Sequence, residues 1–186
     1  MSETSTAAAQ PTSAAKAIAV LAPVLIGSAV SVALGFYGNV HHATRIGVSV
    51  PGFSSLIWVK VWLASGAGLL ALVQLVTARL MWRPNSGAWV APTHRWSGRL
   101  AFLLTLPVMV HCLYSIGFST FDVRSLAHSV LGCLFFGAFT VKMLILPKRN
   151  LPGWLLPVLG GIVFTVLMAL WGTSAAYMFA TEGVRL

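Results

Sequence analysis

Apolar residues along this chain form five long runs that are separated by short polar segments. A membrane hydrocarbon core about 30 Å thick is crossed by about 20 helical residues, and each run reaches that length. The runs occupy most of the chain, so the pattern predicts an all-α fold, a polytopic membrane helix bundle with five transmembrane helices. The predicted helices cover residues 17–39, 55–82, 97–118, 123–146 and 154–180.

Composition supports a membrane protein and excludes a nucleic-acid binder. Of the 186 residues, 58% are hydrophobic and 8% are charged, whereas soluble domains carry roughly 25% charged residues. The net charge is +9, but the basic residues are scattered at helix ends instead of forming the exposed basic face that nucleic acid requires. We therefore expect membrane lipid, and no nucleic acid, as a partner.

The distribution of basic residues predicts the orientation, because Lys and Arg collect on the cytoplasmic side of a membrane. With the N-terminus inside, the outer side holds mainly Arg45, Arg124 and Arg185. We expect a multi-pass protein of the bacterial plasma membrane with a cytoplasmic N-terminus and an external C-terminus. Residues 1–16 are predicted to be a disordered cytoplasmic tail, and residues 17–186 a single transmembrane domain. The inner side would then hold Lys16, Arg79, Arg83, Arg95, Arg99, Lys148 and Arg149.

Two histidines lie in apolar sequence within "LPVMVHCLYSIGFSTFDVRSLAHSVLGC", residues 106–133. His111 precedes the predicted end of the third helix by seven residues, and His128 lies about six residues into the fourth. At 1.5 Å per residue, both stand about 10 Å below the same surface. An ionisable residue inside a membrane needs a partner, and a haem iron with His111 and His128 as axial ligands would supply one to both. The alternatives to haem ligation are polar packing between helices, a bare metal ion and a proton relay.

The neighbours of these histidines suit a flat cofactor. Pro107, one turn before His111, is expected to kink the third helix and open space beside it. Gly132, one turn after His128, leaves room beside that ligand.

Haem propionates are anionic, and Lys60 on the second predicted helix stands at a suitable depth to bind them. Arg45 and Arg124 are further candidates for the same role. Alternatively, Lys60 extends to the membrane surface or pairs with Asp122.

Two more histidines have open roles. His42 follows the first helix on the predicted haem side, where it could replace one axial ligand, bind a propionate or carry protons. A solvated loop histidine is the alternative. His94 occupies either a loop or helix N-cap position at the inner surface or a ligand position.

The segments "HRWSGRLAFLL", residues 94–104, and "LAHSVLGCLFFGAFTVKML", residues 126–144, flank His111. This arrangement resembles the cytochrome b561 and ferric-reductase-like transmembrane haem proteins, and membrane proteins of actinobacteria of the same general kind. The resemblance implies haem b held by histidines of neighbouring helices and electrons that cross the membrane. Those families often carry a second histidine 13 or 14 residues away on each ligand helix, but Lys142 stands fourteen residues after His128. We therefore expect one haem, near the external face.

The function expected from the sequence is that of a b-type cytochrome-like membrane protein, which relays electrons from a quinol or a redox protein partner. No nucleotide-binding loop, carboxylate pair or nucleophile constellation is present, so any enzyme activity would be that of an electron-transfer or oxidoreductase component. The alternative is a cofactor-free subunit or assembly partner of a larger respiratory or transport complex. Small residues at Gly27, Ser28, Ser31 and Gly35 predict close helix packing, which suits that alternative.

Overall fold

A computed structural model describes residues 13–47, 50–148 and 151–186 of the chain. This part of the chain is helical, with no strand. Two π-helical segments, His111–Ile116 and Gly172–Ala176, continue α3 and join α5 to α6. The helices are α1 (Ser13–Val40), α2 (Leu56–Met81), α3 (Val90–Val110), α4 (Val123–Ile145), α5 (Leu155–Trp171) and α6 (Tyr177–Glu182).

Because the π segments connect without a break, the described helices form five rods. Each rod is long and apolar enough to cross a membrane. The predicted fold class is confirmed, and the chain is a multi-pass membrane protein. Large apolar side chains such as Leu21, Val32 and Leu69 point away from the bundle, where lipid would surround them.

Two helices begin earlier than predicted. The helix α3 starts at Val90, seven residues before the expected start at residue 97. The segment before residue 97 looked like a loop because it is polar, but Pro92 is tolerated in a first helical turn, and the Thr93 hydroxyl donates to the carbonyl of Trp89. His94 therefore lies inside a helix. At the N-terminus, α1 begins at Ser13, within the predicted tail, whose residues 1–12 lie outside the described residues.

The helices α1 and α4 pack closely against each other. A Cβ atom on Gly27 would lie 2.6 Å from the carbonyl oxygen of Gly137, and a Cβ atom on Gly137 would lie 2.5 Å from that of Gly27. The Ser31 hydroxyl donates to the Cys133 carbonyl across the same interface at 3.0 Å. The small residues of the first helix therefore do pack closely, as predicted.

The helices α3 and α4 are consecutive in sequence, but each packs mainly against other helices. The helix α2 packs on α3, and α5 packs on α4 and on α2. The backbones of α3 and α4 lie apart, and α4 packs instead on α1 and α5. The space between α3 and α4 is left as a cavity.

The α1–α2 loop covers the end of α3. The backbone N–H groups of Thr44 and Arg45 donate to the carbonyls of Tyr114 and Ser115 at 3.2 and 3.1 Å. The last carbonyls of a helix have no partner within it, so these bonds satisfy them and fix the loop over the π segment of α3.

Candidate functional site

A cavity of about 320 Å³ lies between α2, α3, α4 and α5, and we call it the α3–α4 cavity. It lies toward the end of the bundle where α3 finishes and α4 begins, here called the His128 end; the opposite end is the His94 end. Pockets for small ligands and cofactors range from about 300 to 1,000 Å³. The wall is mainly apolar, with contributions from Val61, Phe135, Phe136, Leu167 and Trp171. It therefore has the size and character of a small-molecule site.

His128 lies in the wall of this cavity. Its Nδ1 atom is 3.0 Å from the hydroxyl oxygen of Thr173, in the π segment between α5 and α6. One turn earlier on α4, Arg124 donates from Nη1 to the carbonyl of Thr173 at 2.8 Å. The Arg124 guanidinium also lies 4.0 Å from the ring centre of Tyr177. Arg124 thus has partners of its own, whereas the second ring nitrogen of His128 forms no hydrogen bond with a described residue.

Lys60 of α2 lies in the same wall. It forms no ion pair or side-chain hydrogen bond with any residue in the described ranges. The Lys60–Asp122 pair considered from the sequence is not formed, because Asp122 lies beside Arg124, at 4.0 Å. A cation within a membrane usually has a counter-charge, so the α3–α4 cavity suits a ligand that carries negative charge.

Gly132 also contributes to the wall, one turn after His128. A Cβ atom added at Gly132 would meet nothing within 4 Å. Open space therefore lies beside His128 at the position where the sequence predicts it.

His111 is not part of the cavity wall. The wall takes Met109, Cys112 and Leu113 from this stretch of α3. The His111 ring lies instead against the α1–α2 loop, where a Cβ atom on Gly47 would be 2.8 Å from its Cε1 atom and 2.9 Å from its Nδ1 atom. The structure thus does not bring the rings of His111 and His128 into one cavity.

The other residues of the same loop also lie away from the cavity. His42 and Arg45 are exposed in the loop, and neither lines the cavity. Within the described ranges, no three His, Cys, Asp or Glu residues come together as a metal-binding group would require.

Thr173 is the residue that sequence reasoning missed. It stands in "WGTSAAY", residues 171–177, where five consecutive small or hydroxyl residues interrupt an apolar helix. That signal was available, but its partners on α4 lie about 45 residues away in sequence. Both π segments lie at the His128 end, and π-helical turns are frequent at functional sites.

The His94 end holds a second polar cluster. The Nδ1 atom of His94 is 2.9 Å from the Thr77 hydroxyl oxygen. The side-chain amide of Gln74 donates to the carbonyl of His94 and to the Ser97 hydroxyl. Gln74 and Lys142 line a nearby cavity of about 60 Å³, which has room for water but is too small for a cofactor.

Asp122 is the N-cap of α4 at the His128 end, directly before the helix start that the sequence predicts at residue 123. Its carboxylate accepts hydrogen bonds from the Ser125 hydroxyl at 2.7 Å and from the Ser125 backbone N–H at 2.9 Å. These bonds hold the pKa of the Asp122 carboxyl below its ordinary value of 3.8.

Comparison with curated proteins gives no match, and neither does comparison with solved structures. A family model described as a family of unknown function (DUF6529) matches residues 19–186. The match includes every residue placed above in the wall of the α3–α4 cavity. With most of its length matched, the chain belongs to the DUF6529 family.

Proposed function

We propose that this chain is a b-type cytochrome-like membrane protein that binds one haem b in the α3–α4 cavity and relays electrons. One observation carries the proposal: His128, a residue type that binds haem iron, shares the wall of a ligand-sized cavity with Lys60, a cation without a described counter-charge. The resemblance of residues 94–144 to cytochrome b561 and ferric-reductase-like proteins supports the same cofactor.

The residues of the cavity fit a haem in three respects. The imidazole of His128 offers an axial ligand. Lys60 offers a positive charge to a propionate, and it is better suited than Arg124, which already has partners. The space at Gly132 accommodates the edge of a flat ring. When bound, haem supplies the one-electron redox couple.

The protein residues have separate tasks in this proposal. His128 binds the iron, and the apolar wall excludes water from it. The positive charge of Lys60 offsets the propionates and favours the reduced state, because reduction adds one negative charge. His111 is the proposed second axial ligand, and its ring must leave Gly47 to act as one. His42, in the same exposed loop, is the proposed reserve ligand or propionate partner.

The orientation and partners form part of the proposal. Arg79, Arg83, Arg95 and Arg99 lie at or near the His94 end of the helices, so we place that end at the cytoplasmic face of a bacterial plasma membrane. The haem then lies near the external face, and a quinol or redox protein supplies its electrons. A subunit of a larger membrane complex without cofactor is the competing function.

Absorption spectroscopy tests this function directly. The full chain is expressed with haem supplementation and purified in detergent, and spectra are recorded before and after dithionite reduction. We expect a Soret band with resolved α and β bands in the reduced wild type. His128→Ala is expected to lose most of the bound haem, and His111→Ala to retain haem but convert it from low spin to high spin.

His94→Ala is the matched control, because His94 has the same kind of threonine partner but lies away from the cavity. It is expected to leave the spectrum unchanged. A colourless wild type, or a His128→Ala variant with an unchanged spectrum, contradicts the proposal, and a colourless wild type favours the cofactor-free subunit.

A further inference from the structure

Thr173 contacts His128 through its hydroxyl and Arg124 through its carbonyl. We infer that Thr173 is a positioning residue, which holds the His128 imidazole as the tautomer protonated on Nδ1 and so presents an unprotonated Nε2 atom as a ligand. The identity of the group that Nε2 binds rests on the proposed function, but the tautomer does not.

The hydrogen-bond partners of the Thr173 hydroxyl support this tautomer. Its hydroxyl oxygen lies 3.0 Å from the Ala169 carbonyl, 3.1 Å from the Leu170 carbonyl and 3.0 Å from His128 Nδ1. A hydroxyl has one hydrogen, and carbonyl oxygens only accept. When the hydroxyl donates to one of these carbonyls, its oxygen accepts from Nδ1, which then carries the proton; the short distances to both carbonyls support this arrangement. In a neutral imidazole the lone pair then lies on Nε2.

Arg124 holds the backbone of Thr173 in place. Arg124 and His128 are four residues apart on α4, so both lie on the face directed to the π segment that contains Thr173. Arg124 binds the Thr173 backbone at 2.8 Å, which leaves the hydroxyl free to orient the ring. This arrangement gives the backbone and the side chain of one residue separate partners.

The consequence concerns metal ligation. A histidine that ligates metal through one nitrogen commonly donates the other N–H to an oxygen, which fixes the ring and raises its basicity. Without the Thr173 hydroxyl, the His128 ring is expected to populate both tautomers, of which one directs N–H at the ligand site. Loss of such a partner typically weakens metal binding by about 10- to 100-fold.

Two substitutions separate the hydroxyl from the shape of the side chain. Thr173→Val keeps the branched shape and removes the hydroxyl, while Thr173→Ser keeps the hydroxyl. The full chain without haem is labelled with ¹⁵N-histidine, and nitrogen chemical shifts report which ring nitrogen is protonated. We expect the Nδ1–H tautomer in wild type and Thr173→Ser, and a mixture in Thr173→Val.

His94 serves as an internal control, since its bond to Thr77 is independent of Thr173. Unchanged His94 signals in Thr173→Val show that the bundle has folded. If that variant fails to fold, the wild type alone still tests the inference, because an Nε2–H tautomer of its His128 would overturn it. With haem added, Thr173→Val is expected to bind about 10- to 100-fold more weakly, and Thr173→Ser within a few-fold of wild type.

A Thr173→Val protein that keeps the Nδ1–H tautomer overturns the inference. If the wild type binds no haem, the proposed function fails, and the tautomer comparison still decides the role of Thr173.

Discussion

The two ends of the bundle place a histidine against a threonine in the same way. His128 meets Thr173 at 3.0 Å, and His94 meets Thr77 at 2.9 Å, each through Nδ1. The adjoining cavities differ fivefold, at about 320 and 60 Å³. A hydrogen-bonded histidine in a membrane helix is therefore common to both ends, and the space beside it distinguishes a candidate cofactor site from polar packing.

Side-chain size between α3 and α4 explains the difference in volume. At the His94 end, Phe102 of α3 stacks on Phe139 of α4 with ring centres 3.9 Å apart. At the His128 end, the facing residues include Cys112 and Gly132, which are small. Aromatic rings therefore fill the gap at one end, and small residues leave it open at the other.

Filling the larger cavity should have the largest effect. Gly132→Leu places a side chain in space that is empty around its Cβ position. The helix itself should tolerate the change, because glycine costs about 1 kcal/mol relative to alanine in a helix. We expect haem affinity to fall by a factor of about 100 or more, roughly the loss of 3 kcal/mol of binding, measured by haem titration.

Gly160→Leu is the matched control at the His94 end. Gly160 lines the smaller cavity and also has nothing within 4 Å of its Cβ position. It should leave haem affinity unchanged. Equal losses in both variants would contradict the distinction between the two ends.

Removing the lysine of each cavity should have a smaller effect. Lys60→Met takes away the cation of the α3–α4 cavity, so we expect a more negative haem midpoint potential, because the reduced state loses electrostatic stabilisation. Lys142→Met removes the cation that lines the smaller cavity and should leave the potential unchanged. A redox titration in detergent measures both, and the same potential in wild type and Lys60→Met would argue against a haem next to Lys60.

Lowering the pH should destabilise the His128 end, and this effect should be smaller than those of the substitutions above. The described carboxylates, Asp122 and Glu182, both lie at that end. The lowered pKa of Asp122 means that its stabilising contribution is present above the ordinary value of 3.8 and is lost as the pH falls through the lower folded value. Asp122→Asn keeps a capping side chain that does not titrate.

Thermal unfolding in detergent measures this difference. The melting temperature of the wild type should exceed that of Asp122→Asn near neutral pH, and the excess should shrink as the pH falls from about 4 through the lower folded pKa. A constant difference across that range would mean that the Asp122 charge does not contribute.

The sequence predicts features that depend on local pattern. Hydropathy and length give the five helices and place the start of α4 at residue 123, where the structure has it. The spacing of Gly27, Ser31 and Gly35 indicates the close contact of α1 with a neighbouring helix. Each of these depends on residues within a turn or two of one another.

The features that the sequence did not predict depend on distant residues. The rise per residue places His111 and His128 at one depth, but the direction of the His111 ring depends on the loop at Gly47, more than sixty residues earlier. The partner of His94, Thr77, likewise lies on another helix and could not be predicted from the sequence around His94. A one-dimensional pattern gives depth along a helix better than direction around it.

The contact between Gly27 and Gly137 also constrains the order of assembly. The helix α1 ends at Val40, and its partner α4 begins at Val123, about 80 residues later. At the usual synthesis rate of about 5 to 20 residues per second, α1 waits roughly 4 to 16 s for that partner. During this interval α2 and α3 can pair with each other, so the bundle is expected to close around a preformed α2–α3 hairpin, with α1 joining when α4 arrives.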